Sequence, residues 1–179
     1  MKYFPTLLLL TASLLLSQCK KDNADPLDKL PPATQTGANT FGCLVNGQAW
    51  TPQGNDGTAN YTVSYDTFSD GGILQIVTYK IYGSNPTDFQ TLSLWAKQIN
   101  GVGTYSFLNK RAAIARYSDV KTSCFWRSAD STTVYQSGAL TITRLDLTAG
   151  VISGTFAFTL YKPGCDSIRV TNGRFDKKL

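Results

Sequence analysis

The feature that most constrains the fold of this chain is a strict alternation of side chains near its C-terminus. Every even-numbered residue from Ile152 to Leu160 is apolar or glycine, whereas the odd-numbered residues are mostly hydroxyl-bearing. Successive side chains of a β-strand point to opposite faces, so this pattern is typical of a half-buried antiparallel strand. Residues 140–145 alternate in the same way, and the turn residues 146–150 separate the two runs. The pattern therefore predicts a β-hairpin.

Short strand-like runs separated by turn residues recur from Thr40 to the C-terminus. Asn46-Gly47 favours a tight hairpin, because both residues tolerate positive φ. Residues 73–79 are apolar on both faces, which indicates a central strand. All acidic residues are Asp, and the absence of Glu disfavours long helices. We therefore predict an all-β fold, with a single antiparallel β-sandwich or barrel-like domain over residues 40–179.

The N-terminal stretch has the parts of an export signal. Lys2 precedes an apolar run that is too short to cross a bilayer as a helix, and Leu16-Ser17-Gln18-Cys19 resembles the bacterial lipobox. We predict that residues 1–18 are a lipoprotein signal peptide and that Cys19 is lipidated, which would attach the chain to a membrane. Residues 19–39 lack apolar periodicity and are rich in Pro, Asp and Lys, so we predict a flexible, lipid-anchored tether. The alternative is an ordinary signal followed by a cysteine.

Several segments resemble a family of Bacteroidota lipoproteins that is classed as a domain of unknown function. The resemblance covers roughly residues 40–177. It is carried by residues 40–47, by residues 140–146, and by the C-terminal pattern from Ile152-Ser153-Gly154-Thr155-Phe156 through Pro163-Gly164-Cys165-Asp166 to Gly173-Arg174-Phe175-Asp176. It implies a β-rich lipoprotein of the bacterial cell envelope, held at the outer membrane and facing the periplasm or the cell surface. The resemblance implies no activity.

Three cysteines remain after Cys19, and an oxidising envelope favours a disulfide between two of them. We favour Cys124–Cys165, because both residues lie at the edges of strands or loops, where a bridge strains a sheet least. Cys43 lies within a predicted strand and is expected to be a buried free thiol. Cys43–Cys165 is the alternative pairing.

The chain contains no His, which removes the commonest general base and a common metal ligand. We therefore expect a non-enzymatic binding or structural domain, with no catalytic residue, no metal and no cofactor. A hydrolase that works without His is the remaining enzyme hypothesis. The net charge of +5 is spread along the chain without a basic tail, so nucleic acid is not an expected partner.

Aromatic residues suggest a glycan- or small-ligand-binding role as a second hypothesis. The candidate ligand-binding residues are Trp126 beside Arg127, and Tyr79 with Tyr82. A glycan or a small apolar ligand would be the partner, although β-sheet cores also consume aromatic residues routinely. Five basic residues between 110 and 127 are opposed only by Asp119. That segment is either a solvated loop face or a surface for acidic polysaccharide or lipid head groups.

Overall fold

The structure is a computed structural model that describes residues 25–179. The predicted signal peptide, residues 1–18, and the predicted lipidation of Cys19 lie outside the described residues. Within the described residues the chain forms two antiparallel sheets and a single short 3-10 helix, Pro26–Lys29. No helix of this part of the chain is long and apolar enough to cross a membrane.

The six-stranded sheet has the order β2-β1-β11-β10-β9-β6. Its strands in chain order are β1 (Thr40–Val45), β2 (Gln48–Trp50), β6 (Gly103–Ser106), β9 (Tyr135–Asp146), β10 (Val151–Tyr161) and β11 (Ser167–Lys178). The five-stranded sheet has the order β3-β4-β5-β7-β8. Its strands are β3 (Tyr61–Asp66), β4 (Ile73–Ile81), β5 (Phe89–Lys97), β7 (Ala113–Asp119) and β8 (Cys124–Arg127). Two separate sheets that enclose one core make the domain a β-sandwich, which confirms the all-β prediction.

The core lies between the two sheets, where the alternation predicted it. From β10, Ile152, Phe156, Phe158 and Leu160 are buried, whereas Thr155 and Ala157 are exposed. Leu74 and Ile76 of β4 and Leu92 and Leu94 of β5 approach the core from the opposite sheet. Burial of these apolar side chains supplies the main driving force for the packing of one sheet on the other.

Two positive-φ sites show how local sequence shapes the six-stranded sheet. Asn46 and Gly47 have φ of 48° and 81° and join β1 to β2, as the dipeptide predicts. Asn172, with φ of 52°, lies at a register shift between β10 and β11. This bulge places Gly173 against Phe156, where an added Cβ would lie 2.5 Å from the ring. Only glycine fits at that position.

The central strand predicted from residues 73–79 is confirmed. It is β4, which lies between β3 and β5. Gln75 and Val77 are exposed, so the outer face of the five-stranded sheet is open to solvent at this strand. Apolar content on both faces therefore indicates an interior strand here, not burial on both faces.

The boundary of the predicted tether is also corrected by the structure. Leu30 is buried at 8% exposure, and Pro31 lies against Gly42, where an added Cβ would be 2.7 Å from its Cδ. Residues 34–38 run along the six-stranded sheet and bind Asp176. Residues 30–38 therefore pack on the domain, and the prediction of a flexible tether over residues 19–39 does not hold for them. Asp176, which binds these residues, is far away in sequence, so the composition of the segment alone could not indicate this contact.

The carboxylate of Asp176 holds this N-terminal segment in place. It accepts hydrogen bonds from the backbone N–H groups of Thr36, Gly37 and Ala38 at 2.8–3.0 Å, and from the hydroxyls of Thr34 and Ser153, both at 2.7 Å. Burial alone would raise the pKa of Asp176, but these hydrogen bonds outweigh it and hold the pKa well below its ordinary value.

Candidate functional site

A groove of about 440 Å³ opens where the two sheets meet, and we call it the inter-sheet groove. The six-stranded sheet contributes residues around the β1–β2 hairpin, including Gln48 and Trp50. The five-stranded sheet and the loops at its strand ends contribute Lys80, Tyr82, Gln90, Tyr117, Asp119, Thr122 and Trp126. Aromatic and polar side chains from distant parts of the sequence therefore share one concave surface.

The aromatic residues of the groove divide into a floor and a rim. Trp50, Tyr117 and Trp126 are 2–5% exposed, so each presents only a small part of its ring. Trp126 packs on Tyr117 with ring centroids 5.9 Å apart. Tyr82 is 37% exposed and follows the end of β4. Tyr82 is thus the aromatic group most available for stacking against a ligand.

A chain of hydrogen bonds crosses the groove. The indole N–H of Trp50 donates to Gln90 Oε1 at 2.9 Å, and Gln90 Nε2 donates to Asp119 Oδ2 at 2.7 Å. The Tyr82 hydroxyl donates to Asp119 Oδ1 at 3.3 Å, and the backbone N–H of Lys121 donates to the same oxygen at 3.0 Å. Burial and the Asp119 carboxylate raise the pKa of Tyr82, so its hydroxyl stays a donor. The network fixes the orientation of each polar side chain before any ligand arrives.

The predicted disulfide Cys124–Cys165 is confirmed, with Cα atoms 5.6 Å apart. It joins the start of β8 to the turn between β10 and β11, so it links the two sheets beside the groove. Next to it, the indole N–H of Trp126 donates to the carbonyl of Asp166 at 3.2 Å. Covalent and hydrogen-bonded links therefore hold the floor of the groove at this end.

Cys43 is the free cysteine among those that the structure describes, and it is fully buried in β1. Burial raises the pKa of its thiol far above the ordinary value. A thiol in this environment is inert, because the thiolate is the nucleophilic form. Within residues 25–179, no group of three or more potential metal-binding side chains comes together.

The four predicted ligand-binding residues do not converge on one site. Trp126 and Tyr82 both line the inter-sheet groove. Tyr79 is 6% exposed, stacks on Phe89 at 5.4 Å, and donates through its hydroxyl to the carbonyl of Thr58 at 2.7 Å. Its role in the described structure is to hold the loop before β3. Arg127 lies on the outer face of the five-stranded sheet, away from Trp126.

Sequence reasoning missed Trp50, Gln90, Tyr117 and Asp119 as groove residues. Each was recognisable as an aromatic or polar residue near the end of a predicted strand. Their meeting depends on which strand ends share one side of the sandwich, and no local pattern encodes that.

Comparisons with known proteins place the chain in a family. Searches of curated proteins and of solved structures returned no match. Residues 67–177, which are more than half of the chain and include β4 to β10 and nearly all of β11, match one protein family. The chain therefore belongs to the family described as "Domain of unknown function (DUF6252)".

Proposed function

We propose that this chain is a non-enzymatic, lipid-anchored protein of the bacterial cell envelope whose β-sandwich binds a neutral glycan in the inter-sheet groove. The anchor is the lipid on Cys19, and the chain is held at the outer membrane, facing the periplasm or the cell surface. The observation that carries the binding role is the combination, in one groove, of an exposed Tyr82 with the ordered Trp50–Gln90–Asp119 network.

The chemistry of the groove matches what a sugar requires. A sugar ring has an apolar face that stacks on an aromatic side chain, and Tyr82 offers one at the rim. The hydroxyls of the sugar need donors and acceptors, which Gln48, Thr122 and Lys80 supply from the groove wall. The volume of 440 Å³ falls within the range of about 300–1,000 Å³ that is typical of small-molecule sites.

Charge balance favours a neutral ligand over a charged one. The groove wall carries Lys80 and Asp119. At the rim, Lys121 lies 6.0 Å from the centroid of the Tyr82 ring and pairs with Asp88 at 3.5 Å, so positive and negative charges remain balanced. Asp119 already accepts hydrogen bonds from Gln90 and Tyr82. These polar groups also disfavour a small apolar ligand, because such a ligand would desolvate them without replacing their bonds to water.

The same features argue against a hydrolase. A general base needs a free lone pair within reach of the substrate, and three hydrogen-bond donors already occupy most of the lone pairs of Asp119. The sequence holds no His to take that role. We therefore propose binding without turnover.

Titration of the full-length chain with neutral oligosaccharides tests this proposal. The protein would be held in a detergent without a sugar headgroup, so that the detergent cannot compete for the groove. Calorimetry would report binding, and quenching of tryptophan fluorescence would report contact near Trp50 and Trp126. We expect saturable binding of at least one neutral tetrasaccharide from a panel of glucose, xylose, mannose and galactose polymers. The absence of heat and quenching with every member of the panel would refute the proposal.

A further inference from the structure

A second cavity lies on the opposite side of the five-stranded sheet from the inter-sheet groove. It measures about 270 Å³ and is lined by Gln75, Ser93, Trp95, Arg116 and Arg127, together with the aliphatic Leu94 and Ile114. We call it the arginine cleft. Its polar residues come from four neighbouring strands, β4, β5, β7 and β8, so it crosses the exposed face of the sheet.

The two arginines stand directly opposite each other. Arg116 of β7 and Arg127 of β8 are register partners in an antiparallel pair. Like charges in such a position destabilise a sheet. Among the described residues, Arg127 has one carboxylate partner, Asp130 at 3.0 Å, and Arg116 has none within 4.0 Å. The cleft therefore carries an excess of positive charge that the domain itself does not neutralise.

The guanidinium of Arg127 also has an unused donor. Its Nη1 binds Asp130, but its Nε is buried and has no hydrogen-bond partner within residues 25–179. Buried donors are nearly always paired in folded proteins, so an unpaired one calls for a reason. A ligand oxygen or a shift of the side chain towards a bound anion would supply the missing partner.

We propose that the arginine cleft binds an acidic sugar residue. The carboxylate of a uronic acid would lie between Arg116 and Arg127, since a guanidinium fork matches a planar carboxylate. The sugar ring would rest on Trp95, and its hydroxyls would meet Gln75 and Ser93. Trp95 is what favours a sugar over a free anion, because an indole ring adds an apolar surface beside the charge. The site is separate from the inter-sheet groove and does not depend on the neutral glycan proposed for it.

The test compares a tetramer of galacturonic acid with its methyl ester, which has the same rings without the charges. The full-length chain would be titrated with each by calorimetry in the same sugar-free detergent. The acid should bind with an affinity that falls as salt is raised, and the ester should bind at least tenfold more weakly. Equal binding of acid and ester would overturn the proposal.

Matched variants locate the site. Arg116→Gln should weaken binding of the acid about tenfold or more, because a charge-assisted pair is lost. Arg169→Gln removes the same charge from an exposed position of the six-stranded sheet and should leave binding unchanged. Arg116→Gln should melt no lower than the unaltered protein, since it relieves repulsion with Arg127. If Arg116→Gln bound the acid normally, the cleft would not be the site.

Two further measurements complete the test. The first distinguishes the arginine cleft from the inter-sheet groove, and the second distinguishes a sugar from a lipid headgroup. Tyr82→Ala, which alters the inter-sheet groove, should not change binding of the acid. If that variant abolished binding of the acid while Arg116→Gln did not, the acid would occupy the groove and the proposal would fail. Glycerol phosphate, the soluble headgroup of an anionic phospholipid, should not displace the tetramer. Binding of glycerol phosphate without any binding of the tetramer would identify a lipid headgroup instead and overturn the sugar assignment.

Discussion

Trp126 and Arg127 are consecutive residues of β8, and they line cavities on opposite sides of the five-stranded sheet. The alternation of side chains along a strand makes this unavoidable. Trp126 contributes to the floor of a groove with balanced charge, whereas Arg127 contributes to a cleft with excess positive charge. One short edge strand thus serves two surfaces with different chemistry.

The disulfide should contribute strongly to stability. The double variant Cys124→Ser/Cys165→Ser should lose about 4 kcal/mol of unfolding free energy, because the bridge closes a loop across a sequence separation of 41 residues. Urea denaturation measured by tryptophan fluorescence would give the value. A reducing agent should lower the stability of the unaltered protein and leave the double variant unchanged. An equal response of both proteins to the reducing agent would contradict a structural role for this bridge.

Asp176→Asn should detach the N-terminal segment and cost about 3 kcal/mol, because one carboxylate serves several charge-assisted hydrogen bonds. The measurement is denaturant unfolding at pH 7. The exposed Asp28→Asn is the matched control and should shift stability by less than about 0.5 kcal/mol. An Asp176→Asn protein as stable as this control would show that residues 34–38 do not need the carboxylate.

The low pKa of Asp176 predicts that the stability of the protein falls in the acid range of pH. The pKa of Asp176 is lower in the folded protein than in the unfolded chain, where an Asp titrates at about 3.9. Its contribution to stability is therefore complete above that pH and is lost as the pH falls below about 4 towards the folded-state value. The stability difference between the unaltered protein and Asp176→Asn should shrink over this acid range. A difference that is constant from pH 7 to pH 2 would contradict the assignment.

The proposed lipidation of Cys19 has a direct test when the chain is expressed in a bacterium. Metabolic labelling with an alkyne analogue of palmitate should label the unaltered chain and place it in the membrane fraction. Cys19→Ala should take up no label and should leave that fraction. Cys43→Ala, which changes a cysteine buried in β1, should still be labelled. Label in the Cys19→Ala protein would show that the anchor lies elsewhere.

The sequence predicts the local parts of this fold well, because they follow from local physics. The alternation from Ile152 to Leu160 identifies β10 and its buried face, and Asn46-Gly47 identifies the β1–β2 hairpin. The disulfide was predictable from the position of its cysteines at strand edges. The strand and the hairpin are set by residues that are close together in the chain or by the face of a single strand, whereas the disulfide also requires the two sheets to meet.

The remaining features depend on which strands become neighbours. Asp176 accepts a hydrogen bond from Thr34, which is 142 residues away in the sequence. The composition of residues 30–38 does not indicate this contact and is typical of a tether. Trp50 meets Gln90 across 40 residues, and Gln90 meets Asp119 across 29. The groove and the arginine cleft both arise from strand order and register, which short-range patterns do not encode.

The most direct test of the proposed glycan site is a comparison of two tyrosines with nearly equal exposure. Tyr82 lies at the rim of the inter-sheet groove and is 37% exposed, whereas Tyr161 ends β10 in the six-stranded sheet and is 38% exposed. The measurement is the calorimetric affinity of the full-length chain for the tightest-binding neutral tetrasaccharide. Tyr82→Ala should weaken that affinity about tenfold, since aromatic stacking is worth about 0.5–1.5 kcal/mol beyond the buried area, while Tyr161→Ala should leave it unchanged. Equal affinities for both variants, or a loss confined to Tyr161→Ala, would contradict the assignment of the groove as the glycan site.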